Sequence, residues 1–250
     1  MDNNTTLFKI GILIPSKSRK EWVNIYDTLL YNNTIRTLLN TTHDTNYIVF
    51  YIGIDEDDKI WSNEENHKIL LELKNYRKNI DFKFFYMRNI AKGHLTRMWN
   101  KLFQHAYEDN CDYFYQCGDD IEFRTVNWLE DSIKILKSKG NLGLSGPVQY
   151  DINHFLTQSL VSRHHMRIFK YYFPNSIINW WCDNWICDIY RFGLYYPSNH
   201  SFKNTCTLTN KATQRYTIVE KPNFYDNLVR EGRIKIQSYL NDIKRNNLNI

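Results

Sequence analysis

Gly118-Asp119-Asp120 closes a short apolar run, Tyr113 to Cys117, and puts two adjacent carboxylates at the end of what reads as a buried strand. Hard divalent cations bind carboxylate oxygens and keep water or phosphate as their remaining ligands. A cation held there could stabilise a diphosphate leaving group. Gly-Asp-Asp is equally good turn chemistry, so the motif alone supports either reading. Asp55-Glu56-Asp57-Asp58 ends a second apolar run, Tyr47 to Ile54. Asp55 is placed to accept hydrogen bonds from a base or ribose. Asp57 and Asp58 read as a solvated loop capping the next helix.

Cationic and backbone groups lie between these acids. Pro15, Ser16 and Arg19 follow a first apolar run, Phe8 to Ile14, and could cradle phosphates. Lys92 and Gly93 precede a helix whose N-terminus favours anions. Asp183 sits inside Asn179-Trp180-Trp181-Cys182-Asp183-Asn184-Trp185. An apolar setting raises a carboxyl pKa and makes a useful general base, although a helix cap beside core tryptophans is the plainer alternative. His200 would complete a metal site with Asp120 if the fold joined them.

The elements that must position these groups alternate. Strands are predicted over Phe8–Ile14, Tyr47–Ile54, Phe82–Met87 and Tyr113–Cys117. Helices are predicted over Glu21–Leu30, Asn63–Tyr76 and His94–Tyr107. This order implies an α/β fold with a mostly parallel central sheet and helices on both faces. Ligands of such sheets bind beyond the carboxyl ends of the strands, where Ser16, Arg19, Asp55, Asp119 and Asp120 gather. Further on, a helix is expected over Val126–Lys139, a strand over Leu142–Ser145, a short helix over Asp183–Arg191 and a long one over Phe224–Ile243. Residues 152 to 178 show no clear period.

The 250 residues suffice for one sizeable core and carry no internal repeat. Aromatic residues are abundant at 16%, which feeds both core packing and sugar stacking. A net charge of +5 suits anionic ligands, and no zinc-finger spacing or recognition motif points to nucleic acid. The five cysteines include no C-x-x-C pair, which fits reduced thiols in a cytoplasmic protein. The first residues lack a signal-peptide pattern, and no run reaches the ~18 apolar residues of a membrane span. Asn-x-Ser/Thr sequons at Asn3, Asn4, Asn32, Asn40 and Asn199 read as accidents of an Asn-rich chain.

The ordered set of segments resembles the GT-A glycosyltransferases, particularly their family 2-like group, from about residue 8 to 125 and more loosely to about 190. Ile14-Pro15-Ser16 looks like the first-strand loop of these enzymes, and Asp55 like their second-strand Asp. Asn89, Gly93, Asn100 and Ala106 stand where they carry an Asn-x-Gly segment and the helix after it. Trp99 replaces the usual Arg, with Arg97 nearby. Gly118 replaces the first carboxylate of the Asp-x-Asp element, leaving Asp119 and Asp120. Cys182-Asp183-Asn184 looks like the motif that supplies the base.

The resemblance implies a single GT-A-like domain. A nucleotide-sugar half would span about 8–125, an acceptor half about 126–222, and a terminal helix about 223–250. It implies transfer of a sugar from a nucleoside diphosphate sugar, UDP before GDP, to a glycan or other hydroxyl acceptor, with inversion. Asp120 and His200 would hold Mn2+ or Mg2+. Pro15, Ser16, Arg19, Asp55, Lys92, Gly93, Arg97 and Asp119 would position the donor, and Asp183 would take the acceptor proton. Trp180, Trp181 and Trp185 would shape the acceptor side. A homodimer is compatible with this reading. The rivals are a nucleotidyltransferase, disfavoured because Ser16 to Arg19 lacks glycines, and a non-catalytic carbohydrate-binding protein on a decayed fold.

Overall fold

A computed structural model describes residues 7–152, 155–206 and 219–246. The four apolar runs of the first half form strands: β1 (Lys9–Ser16), β2 (Tyr47–Ile54), β3 (Ile80–Tyr86) and β4 (Tyr113–Gln116). They pair in parallel in the spatial order β3-β2-β1-β4. Gly11 at the centre of β1 lies opposite Val49 on one side and Phe114 on the other. Their carboxyl ends therefore share one rim.

Strand side chains alternate between faces, which splits one apolar run into two cores. Ile10, Ile12 and Ile14 with Ile48, Phe50 and Ile52 face one layer. That layer holds α1 (Arg36–Thr41), α2 (Glu64–Glu72) and α4 (Trp128–Ser138), contributing Leu38, Leu70, Leu129, Ile133 and Leu136. Leu13, Val49, Tyr51 and Phe114 face the other. There α3 (Leu95–Glu108), α5 (Arg163–Phe169), α6 (Cys182–Tyr190) and α7 (Tyr225–Arg245) supply Leu102, Phe103, Met166, Trp185, Val229 and Ile236. Each fully buried Ile, Leu or Phe contributes about 1.5–3 kcal/mol. Coverage of both faces explains why β1 and β2 are continuously apolar rather than alternating.

The sheet is mixed rather than wholly parallel. It continues through β7 (Ser159–Ser162), β6 (Leu144–Gln149), β8 (Tyr195–Asn204) and β5 (Ile121–Phe123). β7 runs antiparallel to β4 and β6, and β5 antiparallel to β8. Among the described residues, no helix lies between β6 and β7, and an antiparallel return needs no crossover.

The expected helix over Glu21–Leu30 is displaced. Asn24 accepts the Tyr26 N–H, and the Asp27 carboxylate takes the Val23 and Asn24 N–H groups. This capping box closes a single tight turn, Ile25–Asp27. Helical structure resumes as a wide turn over Leu30–Ile35 that leads into α1. Among the described residues, no helix is long and apolar enough to cross a membrane.

Candidate functional site

The carboxyl ends of β1, β2 and β4 bring most of the predicted donor residues to one rim. Ser16 is the last residue of β1, after Pro15, and its hydroxyl donates to Asp119 Oδ2 across 2.9 Å. The Lys17 N–H donates to the same oxygen at 3.2 Å. Ser16 and Asp119 are each only 4% exposed. The Asp119 carboxylate is thus fixed by the β1 loop rather than left as one side of a solvated turn.

Asp55, at the end of β2, accepts an ion pair from Lys17 Nζ at 3.7 Å. Asp57 pairs with Lys92. The Lys92 ammonium lowers the Asp57 pKa, and Asp57 in turn raises that of Lys92. Lys92 therefore closes the rim from the segment before α3. Next to it, Gly93 adopts φ +82° beside open space.

Asp58 departs from its expected solvated role. It is 5% exposed and accepts the Ser18 N–H at 2.6 Å and the Ile60 and Trp61 N–H groups at 3.0 and 2.9 Å. A carboxylate with three backbone donors is a loop anchor. It ties the loop after β1 to the loop after β2.

Arg19 reaches across this loop. Its guanidinium lies 5.4 Å over the Trp22 ring and donates to Cys206 Sγ at 2.9 Å. Its Nη1 is 3.9 Å from Glu21. Its Nε is buried with no hydrogen-bond acceptor among the described residues. An unmet cationic donor at a rim of acids suits an anion bound between them. Arg97 is exposed on α3. In place of an Arg at 99, the Trp99 indole N–H is shared between Leu13 O at 3.2 Å and Cys117 O at 3.4 Å. Trp99 therefore bridges the ends of β1 and β4.

Asp120 is placed by β8. Its carbonyl accepts the Thr205 N–H at 2.9 Å and the Thr205 hydroxyl at 2.8 Å. A Cβ on Gly118 would lie 2.8 Å from Asp120 Oδ1. Glycine at 118 is thus what lets the Asp120 carboxylate fold back over the turn. The Gly118 N–H is held by Gln158 Oε1 at 2.7 Å.

His200 does not join Asp120. Its Nε2 lies 2.8 Å from Asp131 Oδ2 on α4, and its Nδ1 is 3.1 Å from the Thr125 hydroxyl. In the β5–β8 ladder Asn204 faces Ile121, which puts His200 at the far end of β5 from the Asp119-Asp120 turn. Both ring nitrogens are engaged there, and the expected metal pair is corrected on that ground. Among the described residues, no three His, Cys, Asp or Glu side chains converge on one point. Two adjacent carboxylates at one strand end instead match a hard cation that takes its other ligands from phosphate and water.

Asp183 lies in the first turn of α6, behind Trp181, which adopts φ 78° at the helix cap position. Asp183 is therefore not the cap. Its Oδ1 accepts the Asn184 N–H at 2.9 Å. Burial pushes its pKa up to about 6, against the lowering effect of that bond. The segment leading into α6 is fastened to α3, where Thr96 N–H meets Ile178 O at 3.2 Å and Asn100 Nδ2 meets Phe173 O at 2.7 Å. Phe173 packs edge-on against Trp99 at 5.5 Å. Trp99 thus links the segment that leads toward α6 to the ends of β1 and β4.

The three tryptophans divide. Trp185 is core, 1% exposed, with its N–H on Leu228 O. It does not line an acceptor side. Trp181 is partly exposed and donates to Val219 O at 3.0 Å. Trp180 is partly exposed, and its Nε1 is buried without a partner among the described residues. Gln158 and Thr205 escape the sequence reading, which gives Asp58 only as solvated. Gln158 directly precedes β7 and Thr205 directly follows β8, and no local pattern marks them.

No family model matches the chain, and no curated protein matches its sequence. Solved structures do match. Residues 1–349 of S. aureus TarS in complex with UDP-GlcNAc superpose with a TM-score of 0.54 at 10% identity, over 92% of this chain and 66% of that one. Another crystal structure of S. aureus TarS 1–349 gives 0.50 at 9% identity, over 78% and 58%. The chain thus spans about three fifths of the structures it matches. At this identity the likeness concerns the fold alone, which is the GT-A fold expected in the sequence analysis.

Proposed function

We propose that the chain is a glycosyltransferase that moves a sugar from a UDP-sugar to a hydroxyl acceptor. The observation that carries this reading is the buried Ser16–Asp119 contact at the carboxyl rim of β1 and β4. It places a fixed carboxylate where open α/β sheets bind their ligands. The similarity to a fold crystallised with UDP-GlcNAc supports UDP as the donor nucleotide.

Within this reading, Asp55 and Asp119 meet the nucleoside, while Lys17, Arg19 and Lys92 meet the diphosphate. Gly93 leaves space for the backbone to approach it. Arg97 is a further cation at the entrance. Asp120, with Asp119 beside it, would hold Mn2+ or Mg2+. Such a cation supplies charge neutralisation for the departing diphosphate. Asp183 accepts the acceptor hydroxyl proton. The freed oxygen bonds to the anomeric carbon as the bond from that carbon to the diphosphate oxygen breaks, and the electron pair leaves with UDP. One displacement of this kind inverts the anomeric centre. A base with a pKa near 6 is ionised at neutral pH and still basic enough to work.

The test is release of UDP from a panel of UDP-sugars, with and without acceptors, with metal added or chelated. Turnover of one UDP-sugar that disappears in Asp183→Asn and Asp120→Ala supports the assignment. Glycan binding with no UDP affinity would replace it with a non-catalytic role. Pyrophosphate release from a sugar phosphate and a nucleoside triphosphate would replace it with nucleotidyl transfer.

A further inference from the structure

Two side-chain amides hold parts of the site together, and they are used differently. Asn100 on α3 is saturated. Its Oδ1 accepts the Tyr172 and Phe173 N–H groups, each at 2.9 Å. Its Nδ2 donates to Phe173 O at 2.7 Å and to Asn175 Oδ1 at 2.8 Å. An amide with every contact spent on the protein is a fastener.

Gln158 is only half used. It directly precedes β7, whose Ser159 pairs with Gln116 at the end of β4. Gln158 therefore lies at the carboxyl rim beside the Asp119-Asp120 turn. Its Oε1 accepts the Gly118 N–H at 2.7 Å and Gln116 Nε2 at 3.4 Å. A backbone N–H can only donate, so the amide oxygen must face Gly118 and the NH2 group must face elsewhere. That Nε2 meets no acceptor among the described residues, although Gln158 is only 7% exposed. A donor so enclosed costs stability until something accepts from it.

The surroundings of Gln158 define that acceptor. On one side is the Asp119-Asp120 turn, read above as the seat of the diphosphate. On the other is α6. Cys187 Sγ donates at 3.4 Å to the carbonyl of Leu156, two residues before Gln158. Cys187 lies one turn along α6 from Asp183 and on the same face. Gln158 thus stands between the leaving group and the helix that bears the base. The transferred sugar occupies that interval, because its anomeric carbon exchanges one oxygen for the other. A donor aimed at a substrate oxygen rejects analogues that lack the oxygen.

We propose that Gln158 is a specificity residue for the transferred sugar, with Nε2 donating to an oxygen of that sugar while Oε1 holds the turn. This deepens the transferase reading and rests on it.

UDP, UDP-GlcNAc, UDP-glucose and UDP-galactose are titrated by calorimetry into wild type and Q158M, with Mn2+ present. The UDP-sugar that wild type binds best should lose about fivefold more affinity in Q158M than UDP does. A residue that merely held the turn would weaken both nucleotides by the same factor, so an unchanged ratio overturns the proposal. A loss confined to UDP-GlcNAc assigns the contact to its N-acyl oxygen, and a loss shared with UDP-glucose assigns it to a hydroxyl. If Q158M melts well below wild type, a crystal structure of wild type with the same UDP-sugar decides. A sugar oxygen within about 3.2 Å of Gln158 Nε2 is expected there, and an Nε2 facing only water or protein overturns the assignment. Failure of wild type to bind any of the four nucleotides would sink the donor reading itself.

Discussion

The Ser16 hydroxyl and the Asp119 carboxylate, 103 residues apart, meet at 2.9 Å in a site almost closed to solvent. The bond locks the loop after β1 onto the end of β4. Ser16→Ala keeps the strand and removes the hydroxyl donor to Asp119. UDP affinity should fall about 5–10-fold, since a hydrogen bond to a charged group contributes about 1.5–3 kcal/mol before compensation. Calorimetric titration of UDP into both proteins reads this directly, and an unchanged affinity removes Asp119 from the donor site.

Gly118 and Asp120 share one small volume. Gly118→Ala puts a methyl carbon 2.8 Å from Asp120 Oδ1, closer than the two atoms can sit. The carboxylate must move. We expect metal-stimulated turnover to drop about tenfold or more while the fold persists, since about 1.4 kcal/mol of misplacement suffices. The concentration of Mn2+ giving half-maximal activity should rise. If it does not, Asp120 is no ligand.

Asp183 sets a pH limb. As a base it works ionised, so kcat/KM should rise about tenfold per pH unit below its pKa and level off above about 6. The limb should vanish in Asp183→Asn along with most of the rate. Stability moves in the opposite sense. A carboxyl whose pKa is raised on folding favours the folded state while protonated, and that advantage is lost as pH climbs through about 6. Asp183→Asn should therefore melt higher than wild type at pH 8 and no higher at pH 4. A variant that melts lower at both would mark Asp183 as a structural residue.

His200 belongs to the β8–α4 contact. His200→Ala should lower stability by about 1 kcal/mol through loss of the Asp131 and Thr125 contacts. The metal concentration needed for turnover should stay as in wild type. A rise in that requirement would return His200 to the metal site.

The strands of the first half are legible because β1, β2 and β4 are apolar runs that stop in polar residues. Tyr47–Ile54 was read to the residue. β8 was missed because Tyr-Tyr-Pro-Ser-Asn-His-Ser-Phe-Lys-Asn has neither period nor β composition and is made a strand by β6 and β5 on either side. β5 has three residues, too few for a period. The carboxylates were legible as strand ends. Their fastening was not. Asp58 looks like its exposed neighbour Asp57, and only the fold decides that one accepts three backbone N–H groups while the other meets Lys92. His200 failed for the same reason in reverse, since strand register rather than chemistry sends it to α4.

Trp99 bears on how the rim can move. Its indole rests on Leu13 O and Cys117 O together, and the Cys117 N–H also meets Leu13 O. The tips of β1 and β4 are therefore stapled and cannot part to admit a donor. The stretch that follows β1 is tied down as well, by the Lys17 N–H on Asp119, the Ser18 N–H on Asp58 and the Arg19 guanidinium on Cys206. The floor of the site and the arm above it are therefore preset, and a guest must fit a shape already made.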